Sequence, residues 1–150
     1  MAAASTETSS WPSAEGTVAH VMRPVVTTVE PGDHVAAAAY LMKHASVPAL
    51  VIVDADSGRP TGIITATDIA HVVADGKDVN DVRVFDVMTP DPAVVYATSG
   101  IRQAAELMTA GHFRHLPVTG DSDLVGIVDI TAVYRALLDL GGSYSASFRP

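Results

Sequence analysis

The chain has 150 residues, 48% of them hydrophobic but only 5% aromatic, and no cysteine. That is enough for one compact domain, or two small units sharing an aliphatic core, and it excludes disulfides, thiolate metal sites and cysteine nucleophiles. Nine basic residues against 17 acidic ones leave a net charge of -8; this repels a nucleic-acid backbone, and no Lys/Arg cluster offsets it locally.

In chain order, residues 1–17 read as a disordered leader of small polar residues. The leader lacks the basic segment and apolar core of a signal peptide, and no run approaches 18 apolar residues. The expectation is a soluble, cytoplasmic protein without a membrane span. A β-branched segment follows, "VVTTV" (25–29), then a helix in "DHVAAAAYLMKHA" (33–45). There Val35, Ala38, Ala39 and Met42 keep the 3- and 4-residue spacings of a buried stripe, and Asp33 is expected to cap the start. Two strands, "PALVIVD" (48–54) and "PTGIITA" (60–66), flank a polar turn, and "TDIAHVVADG" (67–76) makes a second helix.

The second half repeats this grammar. Pro24 falls on Pro90, 66 residues on, and the same offset pairs Val21 with Val87, Met22 with Met88, Val29 with Val95, Met42 with Met108 and Leu50 with Leu116. Gly62 falls on Gly126 at an offset of 64, two residues having gone from the turn between the strands. The two helices of this copy are "GIRQAAELMTAG" (100–111), started by Ser99 or Gly100 and ended by Gly111, and "TAVYRALLDLGG" (131–142). The chain is a tandem duplication, with repeats at 18–80 and 81–140 and a flexible tail at 141–150. The fold class is α/β. Each β-α-β-β-α copy buries little alone, so the two are expected to pack as one pseudo-two-fold module with a cleft between them.

The ordered set "VMRP" or "VMTP", "HLPV", and "GIITATDI" or "GIVDITAV" resembles a pair of CBS domains, a Bateman module, over about Val18 to Leu140. The resemblance implies a regulatory module that binds AMP, ADP, ATP or S-adenosylmethionine in the inter-repeat cleft and modulates a protein partner. It implies a disc-like homodimer, no required cofactor, and no catalysis. Val72, Val73, Tyr134 and Leu138 are candidates for the apolar faces of such a dimer.

The family signature is a glycine, a Thr or Ser three positions on, and an Asp six positions on. Gly62, Thr65 and Asp68 fit it, so the resemblance gives Asp68 to ribose hydroxyls and Thr65 to the phosphate side. A carboxylate can accept from two vicinal hydroxyls, and a threonine at a helix start suits an anion. The alternative is that Thr65 or Thr67 caps the helix while Asp68 favours its first turn, and the two roles are compatible. In the second copy the matching positions are Asp129 and Ala132. Alanine cannot accept from ribose, and a carboxylate repels phosphate unless a cation intervenes, so this site is expected to be degenerate. Arg114 and His115 replace Pro48 and Ala49 of the first copy. In the family, basic residues at this position reach phosphates; a solvated Arg114 and a packed His115 are the plainer reading.

The six histidines are scattered and no metal site is expected. Neither GxGxxG nor GxxxxGK[ST] occurs, and no nucleophile motif or paired carboxylates stand out. The competing function, of a different class, is a non-catalytic structural or interaction protein that acts through its dimer surface.

Overall fold

The computed structural model describes residues 16–25 and 27–140; the tail at 141–150 and the leader up to residue 15 lie outside them. A short 3-10 turn, Val18–His20, precedes β1 (Arg23–Pro24). The first copy continues with α1 (Val35–Ala45), β2 (Ala49–Val53), β3 (Pro60–Thr65) and α2 (Ala66–Ala74). A single helical turn, α3 (Val84–Val87), leads into β4 (Thr89–Pro90) and β5 (Val95–Tyr96). α4 (Ile101–Gly111), β6 (His115–Thr119), β7 (Leu124–Asp129) and α5 (Ile130–Leu140) follow.

These elements form two compact units. Unit 1 holds residues up to Pro24, Ala93–Asp121 and Val125 onward, and unit 2 holds Val25–Pro92 with Ser122–Leu124. Unit 1 has the sheet β1-β7-β6-β5, and unit 2 the sheet β2-β3-β4. Most buried residues of the two cores match across the duplication. Val35, Ala38, Met42, Leu50 and Ile52 in unit 2 answer to Ile101, Ala104, Met108, Leu116 and Val118 in unit 1. One pair is exchanged: Val18 of the first copy lies in the core of unit 1, and Val84 of the second copy in that of unit 2.

The exchange carries a whole segment. β1 pairs antiparallel with β7, Pro24 opposite Gly126, and β4 pairs with β3, Pro90 opposite Gly62. Proline has no N–H to give a ladder and so belongs on an edge strand, as both do here. The glycines opposite have a steric cause. A Cβ at Gly126 would lie 2.7 Å from Met22 Sδ and 2.8 Å from the Arg23 carbonyl oxygen; at Gly62 it would lie 2.5 Å from Met88 Sδ and 3.1 Å from the Thr89 carbonyl. The motif "VM", a residue, "P" in one copy therefore requires the glycine of the other.

Three local expectations change. Asp33 does not cap α1: the N-cap is His34, without a side-chain bond. The Asp33 carboxylate instead accepts from the Glu30 N–H at 2.9 Å, closing a turn, and the Val82 and Val79 carbonyls take the N–H groups of Val35 and Ala36. Among the described residues of "VVTTV", Val29 makes a parallel bridge to Ile52 and no strand forms, because Pro31 and Gly32 turn the chain immediately after it. Gly111 is the last residue of α4, but His112 takes the left-handed conformation at φ 57°, as Ser46 does in the first copy at φ 55°. Gly111 is small because a Cβ there would overlap the Phe113 ring.

Gly126→Ala should destabilise more than Gly62→Ala, since the backbone carbonyl it meets is closer and cannot swing aside like a methionine tip. Overpacking of this kind costs about 1–3 kcal/mol. Chemical denaturation of both variants, with Met22→Ala added to the first and Met88→Ala to the second, checks this. The methionine change should relieve Gly62→Ala more fully.

Candidate functional site

In each unit an inner strand of the sheet runs into a helix. In unit 2, β3 runs into α2 at Thr65, the helix N-cap. The Asp68 N–H donates to Thr65 Oγ1 at 3.3 Å, while Asp68 Oδ2 accepts from the Thr65 N–H at 2.8 Å and the Thr65 hydroxyl at 3.0 Å. This is a reciprocal capping box, which satisfies helix-end donors and fixes the carboxylate rotamer. Oδ1 accepts from no group among the described residues, and Asp68 is half-buried. Thr65 and Asp68 are thus brought together, and the capping role is observed. Beside them stand Ala49, the partner of Thr65 in β2, and Thr89, the partner of Ile63 in β3.

In unit 1 the equivalent junction is β7 into α5. Asp129 takes over the capping: its Oδ1 accepts from the Ala132 N–H at 2.8 Å. Ala132 contributes only that backbone donor. Asp129 Oδ2 lies 3.6 Å from Arg23 Nη2, with side chains 24% and 39% exposed respectively. That separation makes an ion pair but not a hydrogen bond. Arg23 faces Ile127 across the ladder, so Asp129, two residues on, is its diagonal neighbour on one face of the sheet. The cation needed to offset the Asp129 carboxylate is therefore Arg23. Sequence reasoning missed it, although the offset of 66 places it on Thr89.

His115 opens β6 beside β7, and the exposed Arg114 precedes it; the Arg114 carbonyl accepts from the Ile130 N–H at 2.9 Å. Burial holds the His115 imidazole below its ordinary 6.5, with Arg23 and Arg114 pushing the same way and Asp129 opposing them. His115, Arg114, Arg23 and Asp129 thus form one charged cluster. A separate groove of about 420 Å³ in unit 1, lined by Val94, Val95, Tyr96, Ser99, Gln103, Glu106 and Leu107, contains none of these residues. Among the described residues no group of His, Asp and Glu gathers to hold a metal, and no helix is long and apolar enough to cross a membrane.

Two copies of one strand-helix junction, each with a titratable or hydroxyl cap, raise the question of kinship. Residues 18–75 and 84–139 each match the family model of the CBS domain. The chain belongs to the CBS domain family. Pairs of CBS domains are regulatory modules. An uncharacterized 17.7 kDa protein of Acidianus ambivalens is 36% identical over 124 residues, 82% of this chain and 74% of that one. The CBS domain-containing protein CBSCBSPB2 of Arabidopsis thaliana is 34% identical over 82% of this chain, which spans only 23% of its length. Among solved CBS structures, CBSX2 in complex with AMP superposes with a TM-score of 0.68 at 29% identity, covering 83% of this chain and 97% of that one. The hexameric CBS-CP12 protein from bloom-forming cyanobacteria gives a TM-score of 0.74 at 29% identity, covering 79% and 69%.

Because the folded pKa of His115 is lowered, the unfolded chain binds its proton first as pH falls. The stability contributed by neutral His115 is present above about 6.5 and is lost as pH falls below that value. Thermal melts of the parent and His115→Gln from pH 7.5 to 5.5 should diverge on the acid side, with the parent losing more. Parallel pH profiles would show that His115 does not titrate differently on folding.

Proposed function

We propose that this CBS pair is a regulatory sensor that binds an adenosine-containing ligand (AMP, ADP, ATP or S-adenosylmethionine) and so modulates a partner protein. The Thr65–Asp68 arrangement carries this reading. Oδ2 of Asp68 is pinned by two bonds while Oδ1 retains its acceptor capacity, so the carboxylate is pre-positioned for vicinal hydroxyls without reorganisation. The AMP complex of the similar CBSX2 supports the ligand class. Arg114 and His115 are the phosphate-side candidates, and Asp129 with Ala132 marks a junction that cannot hold a ribose in the same way. The reading assigns no catalytic step and requires no cofactor.

Calorimetry with the four ligands tests it. Asp68→Asn keeps an oxygen for Thr65 and removes the charge, so affinity should fall roughly tenfold or more, a charge-assisted bond contributing on the order of 1.5–3 kcal/mol. Asp68→Ala should do the same while also losing some stability, because it removes the N3 half of the capping box and leaves the Thr65 cap. Equal affinity in Asp68→Asn and the parent would remove Asp68 from the site.

The second reading, action through a dimer surface, has its own observation. Ile130, Tyr134 and Leu138 recur at four-residue spacing on α5 and are 45%, 62% and 50% exposed. Val73 is also exposed, whereas Val72 belongs to the core. Self-association as a homodimer would cover this stripe. Light scattering should return about twice the 15.6 kDa of one chain, and Tyr134→Glu with Leu138→Glu should return one. A parent that stays monomeric at high micromolar concentration ends this reading.

A further inference from the structure

Sulfur is scarce in this chain and unevenly placed. There is no cysteine, so the thioethers of five methionines are all the sulfur it holds. Met1 lies outside the described residues. Met42 on α1 and Met108 on α4 belong to the two cores, 6% and 2% exposed. Met22 and Met88 are half-buried and pack against those same cores. Oxidation of methionine follows exposure, so among the described residues these two offer a peroxide its most open sulfur atoms.

Their place in the fold turns that reactivity into a structural event. Each sulfur fills the space over a buried glycine where a side chain would stand. A Cβ would lie 2.7 Å from Met22 Sδ at Gly126, and 2.5 Å from Met88 Sδ at Gly62. Both glycines sit on inner strands, β7 and β3, opposite Pro24 of β1 and Pro90 of β4. β1 and β4 are two residues long, one of them a proline that donates nothing to the ladder. So short a strand depends on the methionine packed beside it. A sulfoxide is bulkier, and its oxygen is a strong acceptor. That oxygen either crowds the glycine or draws the side chain out to water, and the packed contact is lost in both cases.

We propose that Met22 and Met88 are a matched pair of modification sites, oxidised by hydrogen peroxide to methionine sulfoxide, and that oxidation loosens β1 from β7 and β4 from β3. A lone pair of the thioether sulfur attacks one oxygen of the peroxide, and the O–O bond breaks as the S–O bond forms. The proton of the transferred oxygen passes to the departing hydroxide, which leaves as water. Sulfur gives up two electrons and the peroxide takes them. Methionine sulfoxide reductases reverse the change, one enzyme for each epimer at sulfur. Arg23 and Thr89 ride on the two strands, so oxidation moves a residue beside each strand–helix junction. The proposal requires no ligand at either junction and is independent of the sensor reading.

The full chain is titrated with hydrogen peroxide, and peptide mass mapping reads which sulfurs gain an oxygen. Met22 and Met88 should convert before Met42 and Met108 change. Hydrogen exchange on the same samples should then quicken in β1 with the facing part of β7, and in β4 with the facing part of β3. The melting temperature should fall, and treatment with both reductases should restore it. A variant with Met22→Leu and Met88→Leu keeps the apolar volume and retains Met1, Met42 and Met108. At the same peroxide dose its exchange and melting should stay as they were. Oxidation of Met42 or Met108 ahead of the pair, or alongside it, overturns the proposal. Conversion of Met22 and Met88 with exchange and melting unmoved overturns it too, as does an equal loss in the leucine variant. If that variant does not fold, exchange in the parent before and after peroxide decides by itself.

Discussion

Everything in this molecule hangs on a short strand lying across a glycine. Met22 and Arg23 approach Gly126, and Met88 and Thr89 approach Gly62, at distances no side chain would allow. The close approach lets β1 complete the sheet of unit 1 and β4 that of unit 2. It also sets which residue stands at the strand end next to each helix cap. Arg23 and Thr89 are there because the segment carrying them is pinned by a methionine on one side and a proline-terminated ladder on the other.

From that shared geometry the two junctions have taken different chemistry. One is built from hydroxyls and a single carboxylate whose rotamer is held by the backbone it caps. The other transfers the capping duty to Asp129, which frees Ala132 from any side-chain role and sets a carboxylate beside a guanidinium. A helix start needs an oxygen acceptor, and either Thr or Asp supplies one. Folding therefore tolerates the exchange, and capping alone does not fix the charge at the junction. The half-buried His115 adds a group whose charge depends on acidity, and its burial, with Arg23 and Arg114 acting the same way against Asp129, keeps it neutral further into the acid range.

The duplication, the β-α-β-β-α order and the pairing of Thr65 with Asp68 were legible because each rests on local pattern or on a register that repeats. Arg23 was not. Its partner Asp129 belongs to the other end of the chain, and nothing near residue 23 announces a charged cluster; only the exchange of leading strands brings the two together. Asp33 misled for a related reason. A capping residue was expected where its type and position allowed one, but tertiary contacts supplied carbonyls from Val79 and Val82 instead, leaving Asp33 to close its own turn. The "VVTTV" segment has strand composition, yet Pro31 and Gly32 stop it before a ladder can extend. The glycines at 62 and 126 were visible as a match, while their cause, a methionine from the other copy, was not.

The exchange of leading strands also imposes an order in time. Unit 2 draws its sheet from strands between Ala49 and Pro90, so its core can close once residue 90 has left the ribosome. Pro24 must wait for Gly126, and Val18 for the Ser99 carbonyl and for a core that runs from Val95 to Val133. At roughly 5–20 residues per second of synthesis, that interval is on the order of 5–20 s. For roughly the last 2–7 s of it, once residue 90 is out, the segment from Val18 to Pro24 trails from a nascent chain whose unit 2 can already fold. The duplicated halves are equivalent in sequence, but translation makes them unequal: one finishes early, and the other can be finished only from both ends.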